Sequence, residues 1–327
     1  MCCNKQLRNI KTIKNTDENN LKIIKSSINE DLLPSEVLIE IKYVGLNHRD
    51  LHAIKNFSNF IIGSDAVGLI KKVGCHVSDF KINDEVIINP VTNWEYSSEP
   101  PKTPNIIGGP SNGVLSEYIK INQELVFLKP QHLSLKEASA LPLAGLTAYR
   151  NLFTKGQLKE KQIILITGVS GSVALLMAQM AKMLNCTVIG TSRTDNQKIK
   201  YIDKIINTNS DFKKESRIPN IDLILDSLGG SLFHKYIDII KANGNIVSFG
   251  NSTEQDIKIS TRDIFYYQIN ILGTSVGSKE EFRNMLDFVN KYNITPIVEH
   301  IFPFNNSLQA IELLKSKKYK GSIVIEV

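Results

Sequence analysis

The chain has 327 residues, enough for two domains that each bury a core, and its 42% hydrophobic and 22% charged residues exclude a disordered composition. Lys and Arg number 39 against 33 Asp and Glu, a formal charge of +6. The lysines are scattered along the whole chain, which speaks for a solvated basic surface and against a nucleic-acid platform.

At the N-terminus Lys5, Arg8 and Lys11 are followed by no apolar stretch, which argues against a signal peptide, and no apolar run anywhere approaches the roughly 18 residues of a membrane span. Cys2, Cys3, Cys75 and Cys186 form no Cys-x-x-Cys pair. A disulfide framework or zinc ribbon is not expected, and a reducing, cytoplasmic setting is. Short β segments follow at residues 36–43 (EVLIEIKY), 66–73 and 85–89, separated by Gly, Asn, Asp and Pro as in a small barrel or sandwich. Between the first two lies GLNHRDLHAIKN, residues 45–56. Its His-Arg-Asp-Leu echoes a kinase catalytic loop, but no Gly-rich loop, Val-Ala-x-Lys strand or Asp-Phe-Gly accompanies it. His48 and His52, with Asp50 beside them, make a metal site only if further ligands join, and no Cys or Glu supports them.

From about residue 135 the rhythm becomes an alternation of helix and strand. The spacing predicts a helix over 135–153, a buried strand over 162–168, an amphipathic helix over 172–184 and strands at 187–192 and 221–227. A helix over 232–242 and strands at 245–250 and 269–275 come next, and from about Lys279 two helices and a closing strand, 321–327. Such alternation implies a parallel sheet with helices on both faces.

The strand at 162–168 ends in Gly168-Val-Ser-Gly171-Ser-Val-Ala174 and passes straight into a helix. That turn brings backbone N–H groups to the positive end of the helix, where a dinucleotide pyrophosphate sits; Gly168, Ser170, Gly171, Ser172 and Val173 are the candidate contacts. Gly171 lets the backbone approach the phosphates, and Ala174 is small enough for close packing of helix on strand. Position 172 is Ser, so the Gly-x-Ser-x-Gly elbow of hydrolases fails, and a glycine turn of purely structural purpose is the other alternative. The next strand ends in Ser192-Arg193, with Lys198 beyond, where an NAD site would carry an acid. These donors suit a 2′-phosphate, so NADPH is the expected cofactor. Asp195 dissents from further along the loop, and Arg193 can also be read as an ordinary exposed arginine.

The segments VGLNHRDL, IIGSDAVGLIKKVG, NDEVIINP, GVLSEYIKI, LPLAGLTAYRNLF, ITGVSGSVALLMAQMAK and LILDSLGG, in this order, resemble the medium-chain dehydrogenase/reductase superfamily from about Pro34 onward. Within it they are most similar to the zinc-independent quinone oxidoreductase and enoyl reductase branch. The resemblance implies an α/β fold: a GroES-like β-rich catalytic domain over 1–128, a doubly wound Rossmann NADP-binding domain over 129–272 and a return to the catalytic domain over 273–327. It also implies an active site in the cleft between domains and a homodimer that extends the Rossmann sheet at 269–275.

In the zinc alcohol dehydrogenases of that superfamily a Cys stands at the position of Asn47 and a His-Glu pair at Ser64 and Asp65. This trio offers neither thiolate nor imidazole, so no metal is expected, and the loop 90–113 lacks the cysteines of a structural zinc lobe. Without a Lewis acid, alcohol oxidation gives way to reduction of a quinone or an activated C=C, with hydride from NADPH and a proton from water or a nearby acid. By resemblance Asn47 faces nicotinamide and substrate, Thr147 lines the nicotinamide pocket, and Gly250 and Asn251 offer backbone contacts on its other side. His52 is a candidate proton donor or a partly buried structural histidine. The partner is a small molecule whose identity depends on loop residues such as Phe57, Trp94 and Tyr96; no membrane or nucleic-acid partner is expected. The alternative is an NADPH-binding regulatory or RNA-binding protein of the same fold. Two departures stand out: the segment 198–211 is several residues short and lacks a Gly-Ala, and the common Gly-Lys near the C-terminus has become Gly321-Ser322, with Lys320 before it.

Overall fold

Runs of Val and Ile pair into two separate sheet systems, one in each of two compact units: residues up to Ala144 together with Gly277–Val327, and Gly145–Val276. The computed structural model describes residues 7–16, 20–193, 198–212, 220–253 and 256–327. Cys2, Cys3, Lys5 and Asp195 lie outside them.

In the first unit the 11-residue strand Glu36–Leu46 organises a seven-stranded sheet. Asp65–Val73 runs antiparallel along one edge, and Tyr118–Asn122 and Ser322–Glu326 share the other. Register shifts at Leu38/Ile39 and Ile41/Tyr43 bend the strand enough to serve them all. Val37, Leu38, Ile39, Ile41 and Val44 are buried, each contributing on the order of 2 kcal/mol through lost contact with water. Beyond Asp65–Val73 come Glu85–Ile88 and Val126–Leu128, and beyond Ser322–Glu326 the parallel strand Val298–Pro303. A hairpin of Leu7–Asn15 and Leu21–Asn29 packs beside this sheet and pairs with Phe60–Ile61. It lies upstream of the first β segment legible in the sequence, where polar residues interrupt the alternation.

The second unit is a parallel sheet in the order Lys204–Asn207, Thr187–Ser192, Ile163–Ile166, Ile221–Asp226, Ile240–Ser248, Asn270–Gly273. Numbered along the chain that is 3-2-1-4-5-6, the doubly wound nucleotide-binding order. Ile164, Leu165, Ile166, Ile224 and Leu225 are completely buried, as strands covered on both faces must be. The helix Ser172–Lys182 buries every residue from Ala174 to Ala181.

Three expectations are corrected. The helix over 135–153 is broken into Leu135–Ser139, Pro142–Tyr149 and a wide turn at Arg150–Lys155, because Pro142 has no N–H to continue the first piece. The helix over 232–242 stops at Ile237, since Ile240 already pairs with Ile221 in the sheet. Residues 129–144 belong to the first unit, where His132 Nε2 meets Ile294 O at 3.0 Å and Leu143 N–H donates to Asp65 at 2.9 Å. Among the described residues no helix is long and apolar enough to cross a membrane.

Candidate active site

Parallel strands bring their carboxyl ends to one edge, and in the second unit the order reverses between Ile163–Ile166 and Ile221–Asp226, where an open α/β sheet takes its ligand. Gly168 turns there at φ +64°, in the left-handed region that favours glycine. Gly171 occupies the cap position of the helix Ser172–Lys182 and brings no side-chain acceptor to its first N–H groups. Ser170, Gly171, Ser172 and Val173 are half-buried in this one turn. A methyl on Gly171 would meet nothing nearer than Gly168 O at 3.5 Å, so the approach is open. Behind the turn packing is tight: a methyl on Gly190 would lie 2.3 Å from Val169 Cγ1.

Ser192 and Arg193 end the neighbouring strand, Ser192 half-buried and Arg193 and Lys198 exposed. Their backbones are tied to the next strand end, Thr208 N–H donating to Ser192 O at 2.9 Å and Asn207 Nδ2 to Arg193 O at 3.5 Å. Among the described residues no helix separates these two strands, which is where the sequence is short. Gly250 follows Ile240–Ser248 and abuts the next loop, since a methyl there would lie 2.9 Å from Ser227 O; Asn251 is exposed. Thr147 is half-buried on Pro142–Tyr149, and its carbonyl accepts from Asn151 Nδ2 at 2.8 Å.

Four residues beneath this edge were not singled out from sequence. Asp226 is buried and accepts from Tyr236 OH at 2.8 Å and from the N–H groups of Leu228 and Gly229, while Thr167 Oγ1 lies 3.1 Å from Ser227 Oγ. Burial holds both the Asp226 carboxyl and the Tyr236 phenol above their ordinary values. Asp226 belongs to LILDSLGG, but its partner Tyr236 lies on a later helix that no local pattern connects to it.

In the first unit Asn47 joins Glu36–Leu46 to the helix His48–Asn56, and Gly45 pairs with Asp65 across the sheet. This register brings Asn47, Ser64 and Asp65 together. Asn47 Nδ2 donates to Ser64 Oγ at 3.4 Å, Ser64 Oγ donates to Asp65 Oδ1 at 2.9 Å, and Asp65 Oδ2 accepts the Leu143 N–H. On the other side Asn47 N–H donates to Asp50 Oδ2 at 2.8 Å, and Arg49 Nη1 lies 3.8 Å from Asp50 Oδ1. Arg49 also donates to the carbonyls of Ile107, Gly108 and Gly109, anchoring that loop.

Both carboxyl groups are 1% exposed. Burial pushes Asp65 up to about 7, against the pull of the Leu143, Asn47 and Ser64 donors and with a further push from Asp50. Burial raises Asp50 to about 6, with Arg49 pulling the other way. His52 is not partly buried: it is exposed, and its backbone carbonyl accepts from Asn56 Nδ2 at 2.7 Å. His48 is exposed against Tyr319, whose hydroxyl lies 3.3 Å from Nδ1. Among the described residues no three His, Cys, Asp or Glu side chains gather as a metal site. Phe57 and Tyr96 are exposed, whereas Trp94 is buried and donates its indole N–H to Tyr96 O at 2.8 Å.

Two family models match the chain, an alcohol dehydrogenase GroES-like domain over residues 33–131 and a zinc-binding dehydrogenase over 172–291. The chain is 28% identical to the zinc-type alcohol dehydrogenase-like protein YogA of Leptosphaeria maculans, over 90% of this chain and 91% of that protein. It is 24% identical to a quinone oxidoreductase of Sus scrofa, over 89% of each. The crystal structure of an NAD-dependent alcohol dehydrogenase matches with a TM-score of 0.88 at 25% identity, over 97% of this chain and 99% of that one.

Proposed function

Because the chain belongs to the medium-chain dehydrogenase/reductase superfamily, we propose that it is an NADPH-dependent, zinc-independent reductase that delivers hydride to a quinone or to an activated C=C bond. The observation that carries this reading is the closed trio Asn47, Ser64 and Asp65. Zinc takes thiolates, imidazoles and carboxylates in a tetrahedron. Here a carboxamide and a hydroxyl are neutral, and the one carboxylate has both oxygens engaged by Ser64 and Leu143. That donor set does not fit zinc, and an alkoxide would find no Lewis acid in it.

The second unit fits a nicotinamide dinucleotide, which when bound supplies the hydride. The open turn at Gly168–Val173 offers backbone N–H groups to the pyrophosphate, with Gly171 giving the closest approach. Exposed Arg193 and Lys198, with the Ser192 hydroxyl and no acid at the strand end, suit a 2′-phosphate. Thr147, Gly250 and Asn251 serve the nicotinamide end, and Asn47 faces the substrate. Exposed His52 remains a candidate to pass a proton from solvent. The reading also includes a reducing, cytoplasmic setting and a second copy of the chain as partner.

Fluorescence titration is expected to give tighter binding of NADPH than of NADH, and a panel of quinones and enals is expected to drive NADPH consumption. Equal affinity for the two cofactors would remove the roles of Arg193 and Lys198. Binding without turnover across the panel would favour a regulatory protein, and one zinc per chain by metal analysis would overturn the reading of the trio.

A further inference from the structure

The carbonyls at the end of the strand Ile221–Asp226 hold a second segment of the same unit. Asp226 O accepts from Phe249 N–H at 2.9 Å, Ser227 O from Ser252 N–H at 3.2 Å and Leu228 O from Thr253 N–H at 3.1 Å. The Thr253 hydroxyl adds a bond to Leu228 O at 2.8 Å. Residues 249–253, which include Gly250 and Asn251, are thus carried on the loop 226–229, closely enough that a methyl on Gly250 would lie 2.9 Å from Ser227 O. On its other side the loop is tied to the end of Ile163–Ile166. Ser227 N–H donates to Thr167 Oγ1 at 2.8 Å, and a methyl on Gly168 would lie 3.4 Å from Ser227 Oγ. The loop therefore bridges the turn at Gly168 and the segment 249–253, at the point where the strand order reverses.

The Asp226 carboxyl fixes this bridge. Its oxygens accept from Leu228 N–H at 3.0 Å and Gly229 N–H at 3.1 Å, folding the loop over the carboxyl, and Gly229 turns there at φ +67°. A buried carboxyl is placed by its donors, and these two belong to the loop it has to hold. The shortest contact comes from outside the loop: Tyr236 OH, on the helix Phe233–Ile237, donates to Asp226 Oδ1 at 2.8 Å, whereas Thr167 Oγ1 lies 3.5 Å from the same oxygen. Tyr236 is completely buried with its ring against Phe233, so packing fixes where its oxygen stands.

We propose that Tyr236 and Asp226 are positioning residues that set the separation between the turn at Gly168 and the Gly250 and Asn251 backbone, and through it the affinity for the nicotinamide half of the cofactor. This rests on the reductase reading, in which the turn takes the pyrophosphate and Gly250 and Asn251 meet the nicotinamide. One dinucleotide has to reach both places. With the loop held, both contacts form in a single binding event; with the loop free to shift, binding has to supply the ordering. On the same reading the adenosine half lies at the ends of Ile163–Ile166 and Thr187–Ser192, which do not depend on the segment 249–253. Loss of the Tyr236 hydroxyl is therefore felt by the whole dinucleotide and not by its adenosine half.

Calorimetric titration of wild type, Tyr236→Phe and Thr253→Val tests this, with NADPH and with 2′,5′-ADP, which carries the adenosine half alone. Tyr236→Phe keeps the buried ring and removes one donor from the carboxyl. It is expected to weaken NADPH binding about tenfold and to leave 2′,5′-ADP within about twofold of wild type. Thr253→Val cuts one tie between the two segments at an exposed position, and the same split is expected at about threefold. A variant loosened throughout loses both ligands alike. Equal losses in Tyr236→Phe, or an unchanged NADPH affinity, overturn the proposal; should Tyr236→Phe not fold, Thr253→Val decides by the same two criteria. If wild type prefers NADH, then NADH and 5′-AMP replace the two probes. A wild type that binds none of the four removes the reductase reading and the proposal with it, whereas wild-type binding without the split in the variants removes the proposal alone.

Discussion

A carboxyl group with almost no contact with water costs free energy whenever it is ionised, and Asp65 is such a group. It titrates at about 7 in the folded chain against 3.8 when unfolded, so between those values the folded state holds a proton that the unfolded chain has released. Stability therefore falls as pH rises through that window and levels off above about 7. For a fully buried group the change is on the order of 3 kcal/mol. Urea unfolding of wild type and Asp65→Asn is expected to show the wild type losing that much relative to the variant between about pH 4 and 7. A gap that does not change with pH would mean Asp65 stays ionised throughout. Asp50, raised to about 6, acts with the same sign over a narrower range. Residue identity at 47, 64 and 65 was legible from motif order. The burial of Asp50 and Asp65 was not, because it depends on the sheet register that places Gly45 opposite Asp65.

At the scale of elements, the loop 90–113, which has no cysteine, is anchored by backbone bonds and an ion pair. It docks on the start of the helix Lys279–Tyr292, whose first N–H groups, at Lys279 and Glu280, donate to Trp94 O at 2.8 Å and Glu95 O at 3.0 Å. Lys279 Nζ pairs with Glu95 Oε2 at 2.8 Å, and Glu280 Oε2 accepts from Ser97 N–H at 2.9 Å. Trp94 is the one tryptophan in the chain, so its emission reports on this loop alone. Lys279→Met is expected to red-shift that emission and raise its quenching by acrylamide, at a cost of about 1 kcal/mol in a half-screened pair. Unchanged emission would show that the backbone bonds suffice. The helix was predicted from its spacing, but its partner lies more than 180 residues earlier, which no periodicity reveals.

Over the whole molecule, the strand Asn270–Gly273 ends the second unit's sheet, and among the described residues no strand pairs with its outer side. Ile271 on it is 40% exposed, and Phe265 and Tyr266 on the preceding helix Thr261–Tyr267 are exposed as well. A second copy adding its own edge strand would cover them. Light scattering is expected to give twice the chain mass for wild type and a single chain mass for Ile271→Lys; a monomeric wild type would remove this partner.

The amino-acid sequence by itself determined the α/β class, the turn from Gly168 to Ala174 and the absence of cysteine and histidine from the Asn47 trio. Each is written in neighbouring residues or in the order of segments, and local backbone preference and donor chemistry follow directly from residue type. Only the tertiary structure decided where the helix 232–242 yields to the sheet, that Tyr236 caps Asp226, that His52 is exposed and that Asp65 is shut away from water with Leu143 N–H on one oxygen and Ser64 on the other. Those outcomes depend on which distant segments meet and in what register. Register sets burial, and burial sets the charge of a carboxyl group.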